Sequence, residues 1–175
     1  MATHYFTASS LDGFIATEEH SLDWLLSRDI DQDGPMSYLQ FEKRIGALAM
    51  GASTFEWVMR HEEGRWGYTQ PTWVFTHRDL DVPEGADVRL TQADVTAVHD
   101  EMTAAAGGGD LWVVGGGDLA GQFADAGLLD EIWVQYAPVT LGAGSPLLPR
   151  ALELELLEVA RNRDFLCGRY RVVRE

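Results

Sequence analysis

Leu111-Trp112-Val113-Val114-Gly115-Gly116-Gly117-Asp118-Leu119-Ala120 is the stretch that decides the fold class. Leu111 to Val114 is a continuous apolar run, the pattern of a central strand covered on both faces. The glycines end it, and a helical sequence runs from about Asp118 to Ala126. A strand that turns on glycine and leaves as a helix is one unit of a mostly parallel sheet. The first backbone N–H groups of such a helix lack partners within it and attract anions, and glycine lets a phosphate approach the main chain. Gly115, Gly117 and Ala120 match the pattern G-x-G-x-x-A. A tight strand–helix turn also needs glycine for its own geometry, so both readings stay open. An ordinary Rossmann arrangement fails two checks. The turn stands late in the chain, and the next strand, Ile132 to Ala137, ends without an acid to hold a ribose.

Working outward, His4 to Ser10 reads as a strand that runs into an Asp12-Gly13 turn. Thr17 to Gly34 reads mostly as loop. Pro35 is placed to open a helix that carries Tyr38, Leu39, Phe41, Glu42 and Ile45, with Gly46 placed to end it. Ala47 to Met50 is a short buried strand. Ser53-Thr54-Phe55-Glu56 is a capping box that predicts a second helix. Thr72 to Thr76 and Asp87 to Leu90 are strands, and Thr91 with Asp94 starts a helix to Ala106. Leu152, Leu154 and Leu156 alternate with Glu153 and Glu155, which predicts a strand with one wet face; Leu166 to Val173 is the last strand. Strands alternating with helices, then strands alone, predict one mixed sheet flanked by helices, with antiparallel final strands.

The length of 175 residues suits a single domain spanning the whole chain. The formal charge of −15 repels phosphate backbones and anionic lipids, which argues against nucleic acid and membrane surfaces as partners. The single cysteine, Cys167, lies in an apolar stretch and reads as a packing residue. No apolar run reaches about 18 residues and no signal-peptide pattern opens the chain, so the expected compartment is the cytoplasm. His4, His20, His61 and His99 have no metal-ligand spacing, and no metal is expected.

Two further strand ends offer anion donors. Ala49-Met50-Gly51-Ala52-Ser53-Thr54 brings hydroxyls to a helix start, where Ser53 either caps or contacts phosphate. Val74-Phe75-Thr76-His77-Arg78 delivers a hydroxyl, an imidazole and a guanidinium that could clamp a phosphate. Three such ends suit a ligand lying across the C-terminal edge of the sheet.

The motifs Ser10-Leu11-Asp12-Gly13-Phe14-Ile15-Ala16, Met50 to Glu56, Val114 to Leu119, Gly127 to Glu131 and Pro138 to Leu147 occur in that order and cover nearly the whole chain. The sequence resembles the dihydrofolate-reductase-like superfamily. It is closest to the C-terminal reductase domain of the bifunctional riboflavin-biosynthesis deaminase-reductase. The resemblance implies a three-layer α/β fold with a mostly parallel sheet, NADPH as hydride donor, and reduction of 5-amino-6-(5-phosphoribosylamino)uracil. By matching motifs it implies that Ala8 and Ile15 border the nicotinamide, and that Gly51, Ser53 and Thr54 serve the pyrophosphate. It places Thr76, His77 and Arg78 at the adenosine 2′-phosphate, and Gly115, Gly116, Gly117, Asp118 and Leu119 over the pyrophosphate. It also implies a homodimer through the C-terminal strands. Ala52 stands where many relatives carry a basic residue, which shifts weight to Arg78 or weakens the NADPH preference. The deaminase half, with its His-x-Glu and Cys-x-x-Cys, is absent, so the chain reads as a stand-alone reductase domain.

Hydride transfer needs a proton donor beside the acceptor. Asp12 is the first candidate, its pKa raised by Phe14 and Trp24; the alternative is that it only makes its turn. Asp33 is a second candidate, or a helix cap. Trp24, Trp57, Trp66 and Tyr68 either stack on a flat heterocyclic substrate or pack in the core, and Gly142 and Gly144 lie in a substrate loop or merely in a connection between strands. Three functions stay open: the riboflavin-type reductase, a dihydropteridine-type reductase of the same fold, and a non-catalytic nucleotide-binding dimer. From Met36 to Gly46 the only acid is Glu42, which counts against the pterin reading.

Overall fold

The computed structural model describes all residues from Met1 to Glu175. Its frame is an eight-stranded sheet: β1 (Thr3–Ser9), β3 (Ile45–Gly51), β4 (Thr72–Phe75), β5 (Val88–Thr91), β6 (Asp110–Gly115), β7 (Glu131–Tyr136), β9 (Leu154–Asn162) and β10 (Phe165–Val172). Across the sheet they run β5-β4-β3-β6-β1-β7-β10-β9. Every pair from β5 to β7 is parallel, and β10 lies antiparallel to both β7 and β9. A two-stranded ribbon joins β2 (Phe14–Ala16) to β8 (Ser145–Pro146).

Strand alternation sends side chains to two faces, each with its own core. Tyr5, Ala47, Ala49, Leu111, Val113, Ile132 and Val134 pack under α4 (Val95–Ala105) and α5 (Gly117–Asp125). Phe6, Leu48, Met50, Trp112 and Trp133 pack on the other face under α2 (Tyr38–Glu42) and α3 (Ala52–His61). The three layers and the antiparallel C-terminal strands match the sequence expectation. Cys167 is buried in the second core, as expected.

Several local expectations are corrected. The helix expected from Pro35 is confined to Tyr38–Glu42, and Ile45 and Gly46 belong to β3. Gly46 does not end a helix: a side chain there would collide with the Ala106 carbonyl where the end of α4 crosses the strand. The capping box does not form, because Gly51 is the N-cap of α3 and no side chain caps it, while Ser53 and Glu56 lie inside the helix. Within the expected loop from Thr17 to Gly34 stands one short helix, α1 (Asp23–Leu26). Leu154 and Leu156 are both exposed on β9, so the face expected to be dry is open as well.

Opposite the C-terminal edge, buried His4 ties β1 to both neighbours. Its Nε2 lies 2.9 Å from Asp110 Oδ2, and its Nδ1 accepts from Trp133 Nε1 at 3.1 Å. With Trp133 donating to Nδ1, Nε2 is left to donate to the Asp110 carboxylate. No helix is long and apolar enough to cross a membrane.

Candidate active site

The parallel strands all deliver their ends to one edge, and that edge gathers the glycine motifs. Gly51 at the end of β3 faces Gly115 and Gly116 at the end of β6: a side chain at Gly51 would stand 3.8 Å from Gly115 O and 4.0 Å from Gly116 N. Thr54 Oγ1 would be the nearest atom to a side chain at Gly115, at 3.7 Å, and Ile15 Cδ1 the nearest at Gly116, at 3.8 Å. Gly51 and Gly116 have φ of −81° and −79°, which any residue adopts. Neither position needs glycine for its backbone or its protein neighbours, so the space in front of them is open to a ligand. Gly117 is different, since a side chain there would collide with the Pro146 and Leu147 carbonyls. Glycine at 117 is explained by packing alone.

Both helices that begin here, α3 and α5, start without a side-chain cap, whereas Asp94 caps α4 by accepting from Ala97 N at 3.0 Å. Two uncapped helix starts facing one cleft form a positive cradle in a strongly acidic protein. This is the donor set that a pyrophosphate needs, and the residues present fit a dinucleotide. Ser53 is exposed on the first turn of α3. Leu119 buries its side chain in the core, and Asp118 is held by Gln122 and Arg150, so at the start of α5 the main chain faces the cleft.

Beyond the cradle, on the β4 side, stand Thr76, His77 and Arg78. Thr76 Oγ1 accepts the Arg78 backbone N–H at 3.0 Å, and His77 Nδ1 lies 3.2 Å from Gln92 Oε1. The Arg78 guanidinium is paired with the Glu56 carboxylate.

On the other side, at the ends of β1 and β7, opens a cavity of about 350 Å³. Ala8 and Gln135, register partners on adjacent strands, share its lining with Leu25, Leu26, Ile30 and Phe165. Its polar groups are Arg28, Gln32, Tyr38 and Gln135, and it has no carboxylate. Arg28 Nε donates to Trp24 O at 3.1 Å and makes no ion pair. Burial, reinforced by Tyr68 and Glu42, pushes the Tyr38 phenol well above its ordinary range, so it keeps its proton. The cradle on β3 and β6, the Thr76–Arg78 segment after β4 and the cavity on β1 and β7 thus form one row. From β4 to β1 is three strand spacings, about 14 Å.

The family described as RibD C-terminal domain matches residues 58–164, more than half of the chain. The chain belongs to this family. Two uncharacterized proteins of Bacillus subtilis (strain 168) are similar along nearly their whole length. YwjB is 28% identical over 169 residues, covering 93% of this chain and 91% of YwjB. YyaP is 23% identical over 176 residues, covering 95% of this chain and 90% of YyaP. A structure from Shewanella sp. PV-4, provisionally described as a riboflavin biosynthesis protein, superposes with a TM-score of 0.84 at 27% identity. It covers 99% of this chain and 100% of its own. The Thermotoga maritima diaminohydroxyphosphoribosylaminopyrimidine deaminase/5-amino-6-(5-phosphoribosylamino)uracil reductase superposes with a TM-score of 0.64 at 18% identity. That match covers 98% of this chain and 56% of the larger protein, and it shows a shared dihydrofolate-reductase-like fold.

In this RibD C-terminal domain protein several expected site residues have other work. Asp12 is fully exposed and accepts from Ser10 Oγ at 2.6 Å, Leu141 N at 3.0 Å and Gly142 N at 2.8 Å. The Ser10 hydroxyl and then the Leu141 N–H hold its carboxyl at about 2, so it is ionised and unsuited to donate a proton. Its function is to pin the 138–144 loop to the β1–β2 turn. Gly144 is glycine because the Ala16 carbonyl of the ribbon leaves no room for a side chain, and Gly142 turns with φ +75°. Neither lines the cavity, and Trp24 packs against the core with its Nε1 donating to Ser21 O at 3.2 Å. Asp33 caps no helix, since α2 starts at Tyr38. Sequence reading missed Arg28, Tyr38, Gln135 and Phe165. Only an apolar strand ending in a buried amide hinted at one of them, Gln135.

Proposed function

We propose that this RibD C-terminal domain protein is an NADPH-dependent oxidoreductase that reduces a flat heterocycle. The observation that carries this reading is the pair Gly51 and Gly116. Both have ordinary backbone angles and open space in front, between two uncapped helix starts and beside an apolar cavity. The N–H groups opening α3 and α5 would hold the pyrophosphate, Thr54 would flank it, and Ala8 and Ile15 would border the nicotinamide. When bound, the cofactor supplies a hydride. The walls Leu25, Leu26, Ile30 and Phe165 exclude water and hold the acceptor flat. Gln135 and Tyr38 orient it, with Tyr38 Oη keeping its proton as a donor. Arg28, unpaired among apolar walls, suits an acidic substituent such as a phosphate. That combination favours a phosphoribosyl-type pyrimidine over a pterin, for which the cavity lacks an acid.

The protein is also expected to act as a homodimer. Leu156, Val159 and Leu166 are 57%, 60% and 54% exposed and share one face of the β9–β10 pair beyond α5. Three large apolar side chains left to water on one sheet face suit a second copy.

The test is a titration with NADPH and NADH, following tryptophan fluorescence. The expected result is micromolar NADPH binding weakened by Arg28-independent changes at the cradle, followed by NADPH oxidation with a phosphoribosylaminopyrimidine that Arg28→Ala slows. No binding of either cofactor at millimolar concentration refutes the reading.

A further inference from the structure

On α3, Glu56 holds the guanidinium of Arg78. Arg78 is the one permanent cation among Ala52, Ser53, Thr54, Thr76, His77 and Arg78, the residues that follow β3 and β4. Its backbone N–H is turned by Thr76 Oγ1 at 3.0 Å, which sets the side chain beside α3. Glu56 lies one turn inside that helix, with its side chain 34% exposed against 60% for Arg78. Glu56 makes no capping contact at the helix start, so the ion pair is its only polar engagement.

We propose that Glu56 suppresses discrimination in favour of NADPH by occupying Arg78. This rests on the dinucleotide reading of the cradle given above. A 2′-phosphate reaching Arg78 must share the guanidinium with a carboxylate or displace it, and like charges at that distance repel. A ribose 2′-hydroxyl faces no such penalty, since it can donate to the Glu56 carboxylate. The two partners therefore act in opposite directions on one ligand group: Arg78 favours the phosphate and Glu56 favours the hydroxyl. For partly exposed groups, removing one charge is worth roughly two- to fivefold in affinity, and salt diminishes the effect.

The experiment measures NADPH and NADH dissociation constants by tryptophan quenching, at low and high salt. It uses the intact protein and the variants Glu56→Gln, Arg78→Gln and the double variant. Glu56→Gln is expected to tighten NADPH about two- to fivefold and to leave NADH unchanged or weaker, with the gain shrinking in high salt. In the Arg78→Gln background the same change should move the NADPH-to-NADH ratio clearly less, because only the direct effect of the Glu56 carboxylate remains and no guanidinium is left to release. An unchanged ratio in Glu56→Gln, or an equal shift with and without Arg78, overturns the proposal while leaving the cradle intact. Failure of the unaltered protein to bind either cofactor overturns the cradle reading and this proposal with it.

Discussion

Adding one methyl group at Gly51 separates a ligand cradle from a packing glycine. Gly51 caps α3 with φ −81° and ψ 168°, and its new methyl would meet nothing nearer than 3.8 Å. Alanine is a poorer N-cap than glycine by about 1 kcal/mol. The reduced freedom of the unfolded chain returns about 0.4–1 kcal/mol. Gly51→Ala should therefore alter stability by less than about 1 kcal/mol, a melting shift under about 4 °C. The methyl nevertheless fills space assigned to the pyrophosphate. Overpacking of that size costs about 1–3 kcal/mol, a loss of roughly five- to 150-fold in NADPH affinity. Gly117→Ala is the control, since its methyl collides with two backbone carbonyls, of Pro146 and Leu147. That variant should lose about 2–3 kcal/mol and melt roughly 5–10 °C lower. Thermal unfolding by circular dichroism and NADPH titration read both quantities. A Gly51→Ala protein that binds NADPH as tightly as the original refutes the cradle. A Gly117→Ala protein of unchanged stability refutes the contact reasoning.

His4→Leu leaves Asp110 Oδ2 and Trp133 Nε1 without their partner, and urea unfolding should show a loss of about 2–3 kcal/mol; a loss below about 0.5 kcal/mol would contradict the network. Asp12 has its carboxyl lowered from 3.8 to about 2, so its stabilising contribution is complete above the ordinary value and disappears as pH falls through 2. Stability measured against pH should accordingly show an acid decline that Asp12→Asn lacks, and an activity profile that titrates with Asp12 near neutrality would restore it as a proton donor. Val159→Glu with Leu166→Glu should leave the fold intact and convert a dimer to monomer in sedimentation; an unaltered protein that already sediments as a monomer at high concentration would remove the dimer.

The sheet was legible because each strand carries its own evidence. Leu111 to Val114 is apolar on both pleats, β3 and β6 end at glycines, and Thr76, His77 and Arg78 follow β4. The cradle followed from those ends. What escaped the reading depends on contacts between distant segments. Gly46 resembles a helix terminator until Ala106 is found against it. Ser53 and Glu56 have capping-box spacing, yet Gly51 takes the cap and Arg78 takes Glu56. Asp12 looks like an acid in an apolar setting until the backbone of 141 and 142 arrives to bind it. No local pattern announces that Ala8, Arg28, Gln135 and Phe165 meet in one cavity.

Phe165 reaches that cavity because β10 runs back antiparallel between β7 and β9, so the first strand and the last both supply its walls. The cavity consequently has no partial form during folding. Until β10 docks against β7, the pocket lacks one wall. A molecule that fills the cavity stabilises the complete domain by mass action. Ligand protection against heat or protease then reports on the entire sheet, the distant β9 edge included.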